Sequence, residues 1–209
     1  MCVFNPPKEE QRTLRNRFYC FPRYVGNHIL LFGYKKSYFP FQCMVGPDWS
    51  CMLCTYTLIG GLSSLFLLVV TPQLHRAVTI IGAITTGTTL CCFSITACSD
   101  PGIVWQYVEG KDAVKQMEMG VTPHQTQCSQ CDIMRPFSAH HCSDCNLCID
   151  VLDHHCPWTG KCIGKRTIFF FQAFLASLCF HLCYVIGVVL FWVASMPEPE
   201  DDDSMNDGT

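Results

Sequence analysis

The sequence predicts an α-helical integral membrane protein with about three transmembrane helices and a cytoplasmic, cysteine-rich two-zinc domain of short β-hairpins and loops. Three observations predict it: a shortage of charge, three long apolar segments, and a dense group of cysteines and histidines. Apolar residues make up 49% of the 209 residues and charged residues 15%, whereas soluble proteins carry roughly 25% charged residues. The shortage of charge indicates that much of the surface faces lipid.

Three uncharged segments are long enough to cross a bilayer, which takes about 20 residues of helix. They cover residues 51–70, 77–98 and 168–194. The link between the first two is short, so these two segments are predicted to form a hairpin. A buried helix of a soluble protein is the alternative for each segment, and it has most weight for the second, which is rich in Thr and Gly.

The distribution of Lys and Arg predicts the orientation in the membrane. Seven lie before Cys51, one lies in the hairpin link, six lie within residues 99–167, and none follows Ala194. Because positive charge favours the cytoplasmic side, the N-terminal region and the long loop are predicted to be cytoplasmic. The predicted organisation is an N-terminal region 1–50, a membrane hairpin 51–98, a linker 99–127, a zinc domain 128–167, a third helix 168–194 and an acidic tail 195–209.

The N-terminal region shows no sustained hydrophobic period. It carries Gly, Pro and aromatic residues, and we predict a lead-in to the membrane with an interfacial segment around residues 29–32. No strongly basic face typical of nucleic-acid binding is evident, and a zinc-finger nucleic-acid binder fits poorly with three spans and a loop of mixed charge. Nucleic acid is therefore not an expected partner.

Seven of the 17 cysteines fall between positions 128 and 162. Cys128/Cys131 and Cys142/Cys145 are C-x-x-C pairs, a spacing that lets a tight turn aim two sulfurs at one ion. Structural zinc takes four ligands from thiolates and imidazoles, and a reducing cytosol favours metal over disulfides. The repeated C-x-x-C and His-Cys elements therefore predict a duplicated zinc ribbon.

The number of ligands predicts one spare thiol. Two closed zinc sites require eight ligands, and the segment offers seven cysteines and two His-His pairs, at residues 140–141 and 154–155. If each pair gives one ring, six cysteines complete the sites and one is left over. Cys156 follows Asp153 and two histidines, outside the C-x-x-C pairs, so it is the predicted spare. Its thiolate would be a nucleophile, a neighbouring imidazole would take its proton, and Asp153 would orient that imidazole.

Asp-His-His-Cys-Pro-Trp at residues 153–158, within this cysteine pattern, resembles the DHHC family of protein S-acyltransferases (palmitoyltransferases). Asp-Pro-Gly at residues 100–102 is similar to the family's DPG motif after the second span. The resemblance implies that Cys156 receives a fatty acyl group (palmitoyl) from acyl-CoA and passes it to a substrate cysteine, with Asp153 and His154 as the polarising pair. The implied partners are acyl-CoA, membrane lipid and membrane-associated proteins with cytoplasmic cysteines, in the endomembrane system (Golgi or ER) or the plasma membrane.

The resemblance also implies which residues bind the two zinc ions and the donor. In family members the acyl chain lies among the membrane helices, and Phe171 and Phe174 are candidates to line that space; ordinary helix packing is the alternative. Trp158, Lys165 and Arg166 are candidates to contact acyl-CoA, the two basic residues through its phosphates, and snorkelling to the membrane surface is the alternative for both. The implied zinc ligands are Cys128, Cys131, His141 and Cys148 in one set, and Cys142, Cys145, His155 and Cys162 in the other.

The chain departs from the family pattern in ways that bear on activity. Lys161 and Thr167 stand where many members have Asn. The family usually has a fourth span, a TTxE motif and a cytoplasmic tail after the third span, and the sequence here has none of them. We therefore expect a truncated family member, and the alternative to an enzyme is a non-catalytic, membrane-tethered zinc-binding scaffold.

Overall fold

The computed structural model describes residues 23–33, 38–104 and 125–197, which form three long helices, a small N-terminal sheet and a series of β-hairpins. Most of the predicted linker and most of the predicted acidic tail lie outside the described residues.

The three long helices are continuous and apolar. Helix α1 covers Trp49–Leu65 and continues through a π-helical turn, Phe66–Val70, and a 3₁₀ turn, Thr71–Gln73. Helix α2 covers Arg76–Cys98 and helix α3 covers Ile168–Ala194. Each is long and apolar enough to cross a membrane. The predicted fold class is therefore confirmed, with α3 at its predicted bounds and the first two helices beginning one or two residues earlier.

Aromatic side chains form one of the contacts among the three helices. Phe93 of α2 lies between Tyr56 of α1 and Phe174 of α3, with ring centroids 4.6 and 5.0 Å away. Other faces of α1 and α3 carry exposed apolar residues, such as Leu62 at 64% and Leu190 at 65% exposure. Continuous apolar surface of this kind is rare on proteins that face water, and it suits helices that face lipid.

A three-stranded antiparallel sheet precedes α1. It consists of β1 (Arg23–Val25), β2 (His28–Phe32) and β3 (Cys43–Val45), in that order across the sheet. Residues 29–32, for which we predicted an interfacial segment, form most of β2. Strands of three to five residues are too short for a period-2 pattern to be visible in the sequence.

Three two-stranded antiparallel hairpins follow α2, and we call residues 125–163 the cysteine-rich module. Consecutive hairpins follow one another along the chain without crossing. Their strands are β4 (Gln125–Cys128) with β5 (Ile133–Pro136), β6 (Ala139–Cys142) with β7 (Leu147–Asp150), and β8 (His154–Cys156) with β9 (Lys161–Ile163).

The Asp-Pro-Gly turn joins α2 to the module. Asp100 Oδ1 accepts hydrogen bonds from the backbone N–H groups of Gly102 and Ile103, both at 2.8 Å, as in an Asx turn. Gly102 has a φ of 116°, which only glycine adopts without strain. Ile103 then bridges to Ile149 of β7. The motif therefore fixes the direction in which the chain leaves the membrane helix.

The N-terminal sheet supports the module from one side. The backbone N–H of Asn27 donates to the Cys145 carbonyl at 3.0 Å, and its side-chain amide donates to the Asp144 carbonyl at 2.7 Å. Gly46 lies so close to the Gly160 carbonyl that an added Cβ would overlap it. The sheet and the middle hairpin bury one apolar core, formed by Val25, Leu30, Met44, Ile103, Leu147 and Ile149 together with Cys142, Cys145 and Cys162.

Candidate active site and metal clusters

The strand register separates the candidate ligands into two sets. His141 and Cys142 are neighbours on β6, so their side chains point to opposite faces of the hairpin. His141 is paired with Cys148 of β7, and side chains of directly paired residues share a face. The two faces of one hairpin therefore contribute to two different clusters.

The first cluster joins the first two hairpins. His141 Nδ1 lies 3.1 Å from Cys131 Sγ, and Cys148 Sγ lies 3.7 Å from Cys131 Sγ. With Cys128 they make a set of four whose ligand atoms all lie within 4.8 Å of one another. This is the donor set that the family resemblance implies.

The second cluster joins the middle and last hairpins. His155 is paired with Cys162 in the β8–β9 register, which brings both to one face. His155 Nδ1 lies 3.3 Å from Cys145 Sγ and 3.5 Å from each of the sulfurs of Cys142 and Cys162. These four ligand atoms also lie within 4.8 Å of one another.

Each C-x-x-C pair is followed by a residue in the left-handed backbone conformation. Asp132 follows Cys131 with φ 53°, and Asn146 follows Cys145 with φ 52°. Asp and Asn tolerate this region better than other non-glycine residues. The chain can therefore reverse directly after the second sulfur of each pair, which keeps both sulfurs on the inside of the turn.

The chemistry of both sets fits zinc. Three thiols and one imidazole make a closed tetrahedral donor set that zinc favours in structural sites. All cysteines in the described part of the chain are free thiols. The hydrogen bond between Cys145 and Cys162 lowers the pKa of the Cys145 thiol and raises the pKa of the Cys162 thiol, so Cys145 loses its proton first, and a deprotonated sulfur is the form that binds metal.

The second cluster has an outer partner that sequence reasoning missed. His155 Nε2 lies 2.7 Å from Asp48 Oδ2, so the ring can donate this N–H to the carboxylate while Nδ1 faces the sulfurs. Such a carboxylate fixes the orientation and tautomer of a metal-binding histidine. Asp48 lies 107 residues before His155, and no spacing pattern in the sequence connects the two.

Cys156 is the one cysteine of the module outside both clusters. It is 7% exposed, and it shares a face of β8 with His154 while His155 points to the other face. His154 Nδ1 lies 2.7 Å from Asp153 Oδ2. The structure thus pairs Asp153 with His154 and places His154 and Cys156 on one face of β8.

The aromatic candidates lie at different depths. Trp158 is 61% exposed, and its carbonyl accepts a hydrogen bond from Thr55 of α1 at 3.0 Å. Phe171 places its ring edge-on to His154, with centroids 5.4 Å apart. Phe174 is buried in the helix contact with Phe93. Phe171 therefore lies beside the candidate active site, and Phe174 belongs to the helix core.

The two basic candidates each contact another part of the protein. Lys165 Nζ donates to Asp150 Oδ2 at 2.8 Å. The Arg166 guanidinium lies 4.5 Å from the centre of the Tyr38 ring, a cation–π contact. Both residues immediately precede α3, beside the module.

An apolar groove of about 510 Å³ runs between α1 and α3. Leu58 is the first residue of α1 that lines the groove. It follows Thr55 by about one helical turn, and Thr55 contacts the loop after Cys156. Neither Phe171 nor Phe174 is among the lining residues. The lining is formed by Leu58, Ile59, Leu62, Ser63, Leu65, Phe66, Val69, Val70, Leu178, His181, Leu182, Val185 and Val189.

The fold and this site define a class of protein: membrane helices that carry a cysteine-rich module with two metal-capable clusters and an Asp-His-Cys group. The sequence model of the family described as DHHC palmitoyltransferase matches residues 121–207. The chain is 30% identical over 200 residues to palmitoyltransferase ZDHHC18 of Rattus norvegicus and of Homo sapiens, covering 84% of this chain and 47% of each relative. It is 32% identical over 154 residues to palmitoyltransferase ZDHHC8 of Mus musculus, covering 68% of this chain and 20% of that relative.

The chain belongs to the DHHC palmitoyltransferase family. It spans about half the length of the ZDHHC18 relatives it matches. The predicted family is therefore confirmed.

Proposed function

We propose that this chain is a protein S-acyltransferase that moves a long-chain acyl group, such as palmitoyl, from acyl-CoA to cysteines of membrane-associated proteins. One observation carries the proposal. Cys156 is the single module cysteine outside both metal-capable sets, and it shares a strand face with His154, which is paired with Asp153 at 2.7 Å. A free thiol beside an oriented imidazole is the arrangement that nucleophilic cysteine catalysis needs.

The reaction has two steps that use the same residues. His154 accepts the Cys156 proton at Nε2, while Nδ1–H donates to Asp153. The thiolate attacks the thioester carbonyl of acyl-CoA, an acyl–sulfur bond to Cys156 forms, and CoA leaves with a proton from His154. In the second step His154 accepts the proton of the substrate thiol, and the resulting thiolate attacks the thioester carbonyl on Cys156. The acyl group moves to the substrate sulfur, and the Cys156 thiol leaves with the proton that His154 returns.

The location of Cys156 suits a lipid donor. Transfer of an acyl chain into an apolar environment gains about 0.8 kcal/mol per buried CH₂ group. The groove between α1 and α3 begins about one helical turn from Thr55, which contacts the loop after Cys156, and Phe171 of α3 contacts His154. We propose that the acyl chain enters there, while Trp158, Lys165 and Arg166 contact the CoA end.

The two clusters are proposed to hold structural zinc ions. Cys128, Cys131, His141 and Cys148 would hold one, and Cys142, Cys145, His155 and Cys162 would hold the other. A closed four-ligand site leaves no position for substrate, so its contribution is folding free energy. By the excess of Lys and Arg in residues 1–50 and 99–167, the module is proposed to face the cytoplasm.

The test is acyl labelling of the purified chain in detergent with an alkyne analogue of palmitoyl-CoA. We expect a label that hydroxylamine removes, lost in Cys156→Ser and kept in Cys54→Ser, which alters an exposed cysteine of α1. Zinc should stay near two ions per chain in both variants. Zinc-replete wild-type protein without label would instead favour the non-catalytic scaffold.

A further inference from the structure

Lys161 is a fully buried lysine on the strand that pairs with the Cys156 strand. It lies in β9, immediately before the metal-cluster residue Cys162, and has 0% exposure. Lysine is almost never fully buried unless its ammonium is paired. Its burial therefore requires specific partners.

Those partners come from two segments distant in sequence. The Lys161 ammonium donates to the Met44 carbonyl of β3 at 2.7 Å and to the Ser99 carbonyl at 2.5 Å. Ser99 is the C-terminal capping residue of α2, where the helix dipole and unpaired carbonyls favour a cation. The Asp100 carboxylate is also close enough to attract the ammonium. One side chain thus connects β9, β3 and the end of α2.

The register places this connection opposite the proposed nucleophile. Lys161 is the direct antiparallel partner of Cys156, so the two side chains leave the hairpin on the same face. The loop between them, residues 157–160, contacts α1 through Thr55 and Asp48. The Cys156 strand is therefore attached to the membrane helices at its loop and through the residue across from it.

We propose that Lys161 is a positioning residue that holds the Cys156 hairpin against the end of α2, at a fixed location relative to the membrane. The proposal rests on the proposed function, because the group being positioned is the acyl acceptor. A misplacement of about 1 Å can lower a rate on the order of 100-fold. The ammonium is therefore required for the reaction rate even though it contacts neither the donor nor the substrate cysteine.

Lys161→Met tests the proposal, because it keeps an apolar side chain of similar length and removes the donor. We expect zinc near two ions per chain and a maximal acylation rate lowered about 10- to 100-fold, with the KM for acyl-CoA within about twofold of wild type. Lys161→Gln, which retains one hydrogen-bond donor group, should give a maximal rate between those of wild type and Lys161→Met. A wild-type rate in zinc-replete Lys161→Met, or a raised KM with unchanged maximal rate, overturns the proposal.

If Lys161→Met loses zinc, Lys161→Gln is the variant that distinguishes positioning from folding. Retained zinc with a lowered maximal rate supports positioning, whereas loss of zinc in this variant too assigns Lys161 to folding and overturns the proposal.

Alkylation separates this inference from the proposed function. Cys156 should react with iodoacetamide about threefold faster or more in Lys161→Met than in wild type, as mapped by mass spectrometry, because a released hairpin opens more often. This comparison does not depend on acyl transfer. An unlabelled wild type would contradict the acyltransferase proposal alone, and equal alkylation rates would contradict the positioning role.

Discussion

Two consecutive histidines in this chain have different surroundings because successive side chains of a strand point to opposite faces. His155 faces the sulfurs of the second cluster through Nδ1 and Asp48 through Nε2. His154 faces Asp153 through Nδ1 and the ring of Phe171. The pattern His-His-Cys therefore supplies one candidate metal ligand and one candidate base from adjacent positions.

At the level of single residues, we predict that His154→Ala keeps both metal ions and slows acylation of Cys156. General-base catalysis contributes typically 10²- to 10⁴-fold, so we expect a loss on the order of 100-fold or more. Zinc content and acyl labelling are measured on the same preparation. The matched variant His155→Ala should lower the zinc content, and metal loss from His154→Ala instead would show that the two assignments are exchanged.

The first two hairpins of the module share one element, a turn that contains the second cysteine of a C-x-x-C pair whose first cysteine ends the preceding strand. Asp132 and Asn146 occupy the same place in these two turns, and both have positive φ. A β-branched residue there would strain the backbone by about 1–3 kcal/mol. We therefore expect the turn residue after each pair to affect the metal affinity of its cluster without touching the ion.

We predict that Asn146→Val weakens zinc retention in the second cluster, whereas Asn146→Gly does not. The expected cost of the Val variant is about 1–2 kcal/mol, measured as the chelator concentration that removes half of the zinc. Ser143→Val is the control, because Ser143 is exposed in the same turn and has no positive φ. Equal zinc retention by the two Val variants would contradict the backbone explanation.

Across the whole molecule, one histidine connects all three membrane helices. His181 of α3 lies 2.9 Å from Ser63 of α1 through Nε2 and 2.9 Å from Thr85 of α2 through Nδ1. Thr85 donates its own hydroxyl proton to the Gly82 carbonyl, so it accepts from Nδ1–H and Ser63 donates to Nε2. This buried polar contact fixes the relative rotation of the helices, which apolar packing alone specifies weakly in lipid.

We predict that His181→Leu lowers the stability of the helix bundle in detergent. It leaves the hydroxyl of Ser63 without its partner, and membrane hydrogen bonds contribute about 0.6 kcal/mol on average and up to about 1.7. Thermal unfolding, with zinc content as a check on the module, measures the effect. Phe180→Leu, at an adjacent exposed position, should leave the melting temperature nearly unchanged. Equal melting temperatures for the two variants would contradict a structural role of His181.

The sequence by itself determined the fold class, the family and the residues proposed for the site. Apolar length, C-x-x-C spacing and the Asp-His-His-Cys motif are each encoded within a few tens of consecutive residues. The number of ligands predicted one spare thiol, and the position of Cys156 after Asp153 and two histidines, outside the C-x-x-C pairs, indicated which one. The family resemblance implied the same two ligand sets that the structure brings together.

Only the tertiary structure decided how these local patterns support one another. The contacts of Asp48 with His155 and of Lys161 with Met44 join residues 107 and 117 positions apart, and no spacing rule reaches that far. Burial likewise separated Phe174, in the helix core, from Phe171, beside His154. Local spacing specifies which donors can share an ion or a strand face, whereas the partners of a buried charge depend on which distant segments pack around it.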